Sequence, residues 1–194
     1  MKIIAIIPAR GGSKRLKRKN IVDICGKPML YWAIKACKES KYDIECYVSS
    51  EDDEIKSIAA NLGAKIHNRK RSLSDDQTYK QDVIVSALED LFEDKQKKFI
   101  PHKKKPDIVI SLQANTPQIT GKIIDDIIDL KIKKNKKEIF SVDSDLMQNG
   151  AIRVMDYQYA FLKTLSMYCG VFICDLIDVH TVEDLLLAEQ LMKK

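Results

Sequence analysis

The sequence predicts an α/β protein: a mostly parallel central sheet with helices on both faces, a Rossmann-like three-layer α/β/α arrangement. Two observations carry this. Short apolar runs alternate with stretches of helical periodicity from the amino terminus onward. Two of those runs, IIAII at Ile3 to Ile7 and DIVISL at Asp107 to Leu112, are apolar almost throughout, as strands covered on both faces must be. In such a fold ligands bind beyond the carboxyl ends of the strands, so the segments after Pro8, Ser49 and Leu112 are where a site belongs.

The elements follow in order. Ile3 to Ile7 is the first strand, and Pro8 ends it because proline has no N–H for a ladder. Ile21 to Gly26 reads as short and extended. Lys27-Pro28 then opens a helix with Pro28 in its first turn, and Met29, Trp32, Ala33, Ala36 and Cys37 recur at helical spacing. Glu45 to Ser49 is the second strand. Its continuation, Ser50 to Glu54, is small, polar and acidic, which suits a helix amino terminus; Ile55, Ile58, Ala59 and Leu62 form a stripe that stops at Gly63. Ala64 to His67 is a short strand, and Asn68 to Tyr79 is a polar loop ahead of an amphipathic helix through Val83, Ile84, Ala87, Leu88, Leu91 and Phe92.

Lys95 to Pro106 reads as a solvated connector, and Asp107 to Leu112 as a central strand that delivers Gln113 to Pro117 to the same sheet edge. A helix from Thr120-Gly121 buries Ile123, Ile124, Ile127, Ile128 and Leu130. After a basic turn, Lys131 to Lys137, come strands at Glu138 to Val142 and Cys169 to Cys174. The last helix presents Leu187, Ala188 and Leu191, and Thr181 with Asp184 has capping-box spacing, which explains those two residues without any function.

At 194 residues, 45% hydrophobic and 31% charged, the chain suits one folded domain. The net charge of +5 is local, much of it in the Lys14 to Lys19 loop and the Lys95 to Lys105 run. Zinc-finger spacing and RNA-recognition aromatic motifs are missing and only 7% of residues are aromatic, which argues against nucleic acid as the partner. Five cysteines, Cys25, Cys37, Cys46, Cys169 and Cys174, form no CxxC and leave an odd count, so free cytoplasmic thiols are expected, with Cys37 and Cys46 in the core. Pro8 and a basic loop occupy the place of a signal-peptide cleavage site, and no run is long enough to span a membrane.

The chemistry concentrates in ARGGSKRLKRKN, which holds Arg10, Lys14, Arg15, Lys17, Arg18 and Lys19. Gly11 and Gly12 let a backbone approach a ligand closely, and Arg10, Lys14 and Lys19 can neutralise a polyphosphate from several sides. The pattern is neither the Walker loop nor the dinucleotide GxGxxG. On chemistry alone two readings stay open, a triphosphate cradle and a solvated basic loop.

That stretch resembles the N-terminal signature of the sugar-acid cytidylyltransferases, the CMP-sialic acid synthetase family with its legionaminic, pseudaminic and KDO relatives, whose pattern is approximately ARxxSKxxxxKN. Ala9, Arg10, Ser13, Lys14, Lys19 and Asn20 match it; Arg15, Leu16 and Lys17 stand where the family often has Gly-Ile/Leu-Pro, so this loop is more cationic. Arg69, Leu73, Asp76 and Thr78 agree with a family loop that closes over the nucleotide, although Arg69 by itself reads equally well as a surface charge. LQANTP at Leu112 to Pro117 is similar to the family's LQPTSP or LQGDEP: Gln113 matches, Ala114 replaces a proline or glycine, and Asn115 stands where the KDO branch has a metal-binding aspartate. Gln148 to Ile152 resembles the NGAIY segment.

IDVHTVEDL at Ile177 to Leu185 resembles the family's IDIDTxxDL, whose two aspartates hold Mg²⁺. Asp178 is kept and His180 takes the second position. Because Mg²⁺ favours carboxylate and water oxygens over imidazole, three readings of His180 remain: contact through water, a hydrogen bond to phosphate or a sugar carboxylate, or a weakened site.

The resemblance covers Met1 to Pro117 and the segment from Ile177. Only Asp143 to Gln148 occupies the place of the dimerisation arm, so that arm is shortened or absent and a homodimer stays open. What the resemblance implies is transfer from CTP to a 2-keto sugar acid, giving the CMP-sugar and pyrophosphate, with Mg²⁺ as cofactor. Lys19 and Arg10 would act on the α-phosphate and leaving group, and Lys14 on the β- and γ-phosphates. Ala9, Gly11, Gly12 and Ser13 would belong to the nucleotide-binding loop, Asn20, Arg69 and Gln113 would meet cytosine or ribose, and Asp178 would hold the metal. The rivals are a nucleotidyltransferase with a different acceptor and a nucleotide-binding homologue without turnover.

Overall fold

A computed structural model describes residues 1–92, 105–162 and 164–193; apart from Lys105 and Pro106, the lysine-rich connector lies outside them. In chain order the elements are β1 (Ile3–Pro8), β2 (Asp23–Ile24), β3 (Lys27–Pro28), α1 (Met29–Glu39), β4 (Ile44–Ser50), α2 (Asp53–Asn61), β5 (Lys65–Asn68), α3 (Lys80–Phe92), β6 (Ile108–Leu112), α4 (Gly121–Lys133), β7 (Glu138–Val142), β8 (Gln148–Asp156), β9 (Cys169–Ile173) and α5 (Val182–Met192). Short 3-10 turns lie at Lys19–Ile21, Arg71–Leu73 and Tyr157–Phe161.

Seven strands form one sheet in the order β5-β4-β1-β6-β8-β7-β9, and β8 alone runs against the rest. β1, between β4 and β6 in the interior of the sheet, shows why the run is apolar on both sides. Ile3, Ala5 and Ile7 join Leu30, Ala33 and Ile34 of α1, Ile55 of α2 and Ile124, Ile127 and Ile128 of α4 in one core. Ile4 and Ile6 point the other way, into Ile84, Ala87 and Leu88 of α3. Fully burying an isoleucine contributes roughly 1.5–3 kcal/mol, so the continuous run stabilises both layers at once.

Three expectations change. Ile21 to Gly26 is not simply extended: β2 and β3 form a hairpin through Cys25 and Gly26, both left-handed (φ 53° and 74°), a two-residue turn whose twist suits the paired strands. Lys27 therefore belongs to a strand, and Pro28 stands just outside α1 as its cap. The segment from Gln148 to Asp156, to which the sequence reading assigns no element, is a strand. Residues 143–147 join it tightly to β7, and so short a link permits only an antiparallel neighbour. On α5, Ala188 is buried but Leu187 and Leu191 are exposed, with Leu185 supplying the packing instead.

α4 runs on through Lys133, three residues into the expected basic turn, with Lys131 buried; most other boundaries lie within a residue or two of expectation. Asp52 caps α2 by accepting the Ile55 N–H, and Thr181 with Asp184 forms the reciprocal capping box of α5.

β1, β4, β5 and β6 all end at one edge of the sheet. Because β8 is reversed, its beginning, Gln148 to Ala151, reaches that same edge, and the Gln113 N–H donates to the Ala151 carbonyl at 2.9 Å.

Candidate active site

At this edge lies a cleft of about 220 Å³ lined by Pro8, Arg10, Ser13, Lys19, Asn20, Arg69, Asp75, Asp76, Thr78, Lys80, Val83, Gln113 and Asn115. Six of the sequence-predicted positions are thus brought together: Arg10, Ser13, Lys19, Asn20, Arg69 and Gln113. They arrive on three loops, those after β1, β5 and β6.

The β1 side is a wall of cations already matched with acids. Asp76 bridges Arg10 and Lys14, each at 2.5 Å, and these two contacts, Lys14 first, hold its carboxyl below the usual range. Arg18 is left-handed (φ 54°) and its guanidinium reaches Asp52 at 2.6 and 3.0 Å and Glu54 at 2.5 Å. Buried Asn20 donates to the Arg10 carbonyl at 2.8 Å and so fixes the loop backbone.

Two loop positions pack against β4 and the start of α2. The Ala9 amide donates to the Ser49 carbonyl at 3.0 Å and its methyl is fully buried, so Ala9 extends the sheet by one residue beyond Pro8. The Gly11 amide donates to a Glu51 carboxylate oxygen at 2.9 Å, and a Cβ on Gly11 would come within 2.4 Å of the Asp52 carboxylate. Glycine is required there by the packing of the loop against α2. Gly12 meets nothing within 4 Å, and the Ser13 amide turns back to the Gly11 carbonyl at 3.0 Å.

Behind this wall the chain's last loop supplies a relay. His180 Nδ1 lies 3.2 Å from Lys19 Nζ and 2.8 Å from an Arg15 nitrogen, while Nε2 lies 2.8 Å from Asp178 Oδ2. Ammonium and guanidinium groups only donate, so Nδ1 accepts, and the network assigns the proton to Nε2, which donates to Asp178. Asn115 is buried and its carboxamide nitrogen donates to the other Asp178 oxygen and to the Val179 carbonyl. Burial lowers the Lys19 pKa, opposed by the nearby Asp178 charge and reinforced by Arg15 and Arg10.

Among the described residues no three His, Cys, Asp or Glu side chains converge as a ready-made metal site. Mg²⁺ in nucleotide sites is commonly held by one or two carboxylates plus phosphate and water oxygens, a role that Asp178 fits. His180 does not fit as a direct ligand, because both its ring nitrogens are engaged by protein groups. In this geometry the imidazole braces Lys19.

The opposite wall was not legible in the sequence. Lys80, the first residue of α3, lines the cleft, and its ammonium donates to the Gly150 carbonyl at 2.5 Å and to Gln113 Oε1 at 3.2 Å. Gly150 is left-handed (φ 69°), and a Cβ there would press on Gln113 Oε1 at 3.2 Å, so glycine serves both the turn and the close approach. Burial lowers the Lys80 pKa to about 8, partly offset by Asp178, with Arg153 acting in the same direction as burial. Arg69, also buried, spends Nε and one terminal nitrogen on the Leu73 carbonyl, which pins the 3-10 turn of the loop; burial lowers its pKa as well.

A model of the cytidylyltransferase family matches residues 4–164. The chain belongs to that family. Among the most similar members is a pseudaminic acid cytidylyltransferase from Campylobacter jejuni, 36% identical over 142 residues, which are 73% of this chain and 58% of that protein. An N-acylneuraminate cytidylyltransferase A from Danio rerio is 31% identical over 140 residues, 72% of this chain and 30% of that protein. Matches to this cytidylyltransferase-family chain thus span about half or less of those relatives. Of solved structures, a CMP:2-keto-3-deoxy-manno-octonic acid synthetase complexed with CTP superposes with a TM-score of 0.76 at 17% identity, covering 100% of this chain and 99% of that one. A Leptospira borgpetersenii cytidylyltransferase gives 0.70 at 16% identity, covering 95% and 83%. At these identities the structures speak for the nucleotidyltransferase fold.

Proposed function

We propose that this protein activates a 2-keto sugar acid with CTP, forming a CMP-sugar and releasing pyrophosphate. The observation that carries the reading is convergence: Arg10, Lys19, Asn20, Arg69 and Gln113, from three separate stretches of the sequence and all at family motif positions, line one cleft. The acceptor hydroxyl oxygen attacks the α-phosphorus. A new P–O bond forms as the bond from that phosphorus to the bridging oxygen of the leaving pyrophosphate breaks, and the hydroxyl proton passes to water. Negative charge grows on the α-phosphate and the leaving group, so fixed cations supply most of the stabilisation.

Lys19, braced by His180, and Arg10 are assigned to those charges, and exposed Lys14 to the terminal phosphates. Asn20 and Arg69 hold the loops that frame the nucleotide, and Gln113 faces it from β6. Magnesium bound by Asp178 and the phosphates would add charge neutralisation there. Cytoplasmic location is part of the proposal. It is supported by the core pair Cys37 and Cys46, which are free although their thiols are in contact. So is self-association, supported by Val171 and Ile173, exposed on edge strand β9. No helix among the described residues is long and apolar enough to cross a membrane.

A second reading, nucleotide binding without turnover, is favoured by the one engaged imidazole at a position where a metal-binding carboxylate is expected. Pyrophosphate release from CTP and Mg²⁺ with a panel of 2-keto sugar acids decides between them, with ATP, GTP and UTP as controls. Release with CTP and one acid establishes the transferase; CTP binding without release, restored in His180→Asp, establishes the second reading.

A further inference from the structure

The cations around the cleft are not equivalent. Arg10 and Lys14 share Asp76, Arg18 has Asp52 and Glu54, and Lys19 leans on His180 and through it on Asp178. Arg69 and Lys80 differ: Arg69, on the loop after β5, donates to the neutral Leu73 carbonyl, and on the β6 and β8 side the Lys80 ammonium donates to two neutral oxygens, the Gly150 carbonyl and Gln113 Oε1. Carbonyl dipoles orient an ammonium without neutralising it, so Lys80 presents net positive charge to the cleft. A partly buried cation of this kind carries a desolvation cost that an anionic ligand would offset.

Which anion meets it follows from the direction of the reaction, and the argument rests on the transferase reading above. Phosphoryl-type displacement places the attacking and leaving oxygens roughly in line. If Arg10, Lys14 and Lys19 hold the polyphosphate on the β1 side, the acceptor enters from the far side, where β6, the beginning of β8 and the first turn of α3 meet. In a cyclised 2-keto sugar acid the reacting hydroxyl sits on the carbon next to the carboxylate. That carboxylate must therefore come within a few bonds of the α-phosphate, where two negative charges repel. A cation on the acceptor side removes the repulsion and rewards acids over neutral sugars.

We propose that Lys80 is the residue that recognises the acceptor carboxylate, with Gln113 and the Gly150 carbonyl aiming its ammonium. The chain thereby selects α-hydroxy acids of the cyclised 2-keto type over neutral acceptors of the same shape.

The test compares a 2-keto sugar acid with its C1 carboxamide in the unmodified chain, Lys80→Gln and Lys80→Arg. CTP binding is measured separately by calorimetry, and folding by thermal melting. Losing one charge-assisted contact is expected to raise the acceptor KM of Lys80→Gln by about 10–100-fold and to collapse the acid-to-amide preference to within about threefold. CTP affinity should stay close to that of the unmodified chain, and Lys80→Arg should recover much of the preference. An unchanged acid-to-amide ratio in a folded Lys80→Gln that binds CTP normally would overturn this inference alone. A weaker CTP affinity with an unchanged ratio would likewise overturn it and mark Lys80 as a nucleotide contact. Failure of the unmodified chain to bind CTP would overturn the transferase reading and this inference together.

Discussion

The two walls of the cleft hold positive charge in different ways. On the β1 side the charges are long, partly exposed side chains tied to acids: Arg10 and Lys14 to Asp76, Arg18 to Asp52 and Glu54. On the β6 and β8 side a single ammonium, Lys80, is held by neutral oxygens of the sheet edge. The first wall's basicity is partly offset by its own acids, and under the proposed function a triphosphate would take their place. The second wall has little to exchange, so its charge is fixed in place and more selective. Between them, Lys19 shares features of both, drawing on Asp178 through the neutral ring of His180.

The comparison breaks most sharply at Lys19. Lys19→Ala should lower pyrophosphate release from CTP by roughly 10²–10³-fold, the scale for removing one electrostatic donor from a transition state, with the melting temperature unchanged. Near-normal turnover would return the catalytic charge to Arg10 and Lys14.

The next effect is one of pH. Burial lowers the Lys80 pKa to about 8 from the ordinary lysine value of 10.5, while Asp178 and Arg153 pull in opposite directions. The ammonium is present below about pH 8 and is lost in the free protein as pH rises through that value. The acceptor KM should therefore be flat below pH 8 and climb about tenfold per unit above it. In Lys80→Arg, whose guanidinium stays charged, the climb should vanish; a climb that persists would assign the titration to another group.

The smallest change sharpens the first wall. Asp76→Asn frees Arg10 and Lys14, and because the pair is exposed the gain in CTP affinity should be only about two- to fivefold, larger in low salt. Weakened binding would instead mean that Asp76 positions the cations for the phosphates.

Legibility followed distance along the chain. β1 and the helices were readable because apolar periodicity is a local property: Ile3, Ala5 and Ile7 face one layer, and Ile4 and Ile6 the other. The cap of α2 and the capping box of α5 were equally local. The cationic loop was readable as chemistry, but the packing of Gly11 against the Asp52 carboxylate, 41 residues away in sequence, was not. Lys80 looked like one polar residue ahead of an amphipathic stripe. Nothing nearby in the sequence shows that β8 runs backwards and brings the Gly150 carbonyl to meet it. His180 was visible as a departure, but its meaning depended on which atoms its two nitrogens would face.

The sequence by itself determined the layered architecture, the edge of the sheet that carries the site and the basic character of the first wall, because burial pattern and charge are written residue by residue. Only the tertiary structure decided which charges are already paired, that His180 stands between Lys19 and Asp178, and that Lys80 faces the cleft on neutral supports. Those outcomes depend on contacts between segments tens of residues or more apart, and electrostatics is settled by who stands within hydrogen-bonding distance, which no local pattern encodes.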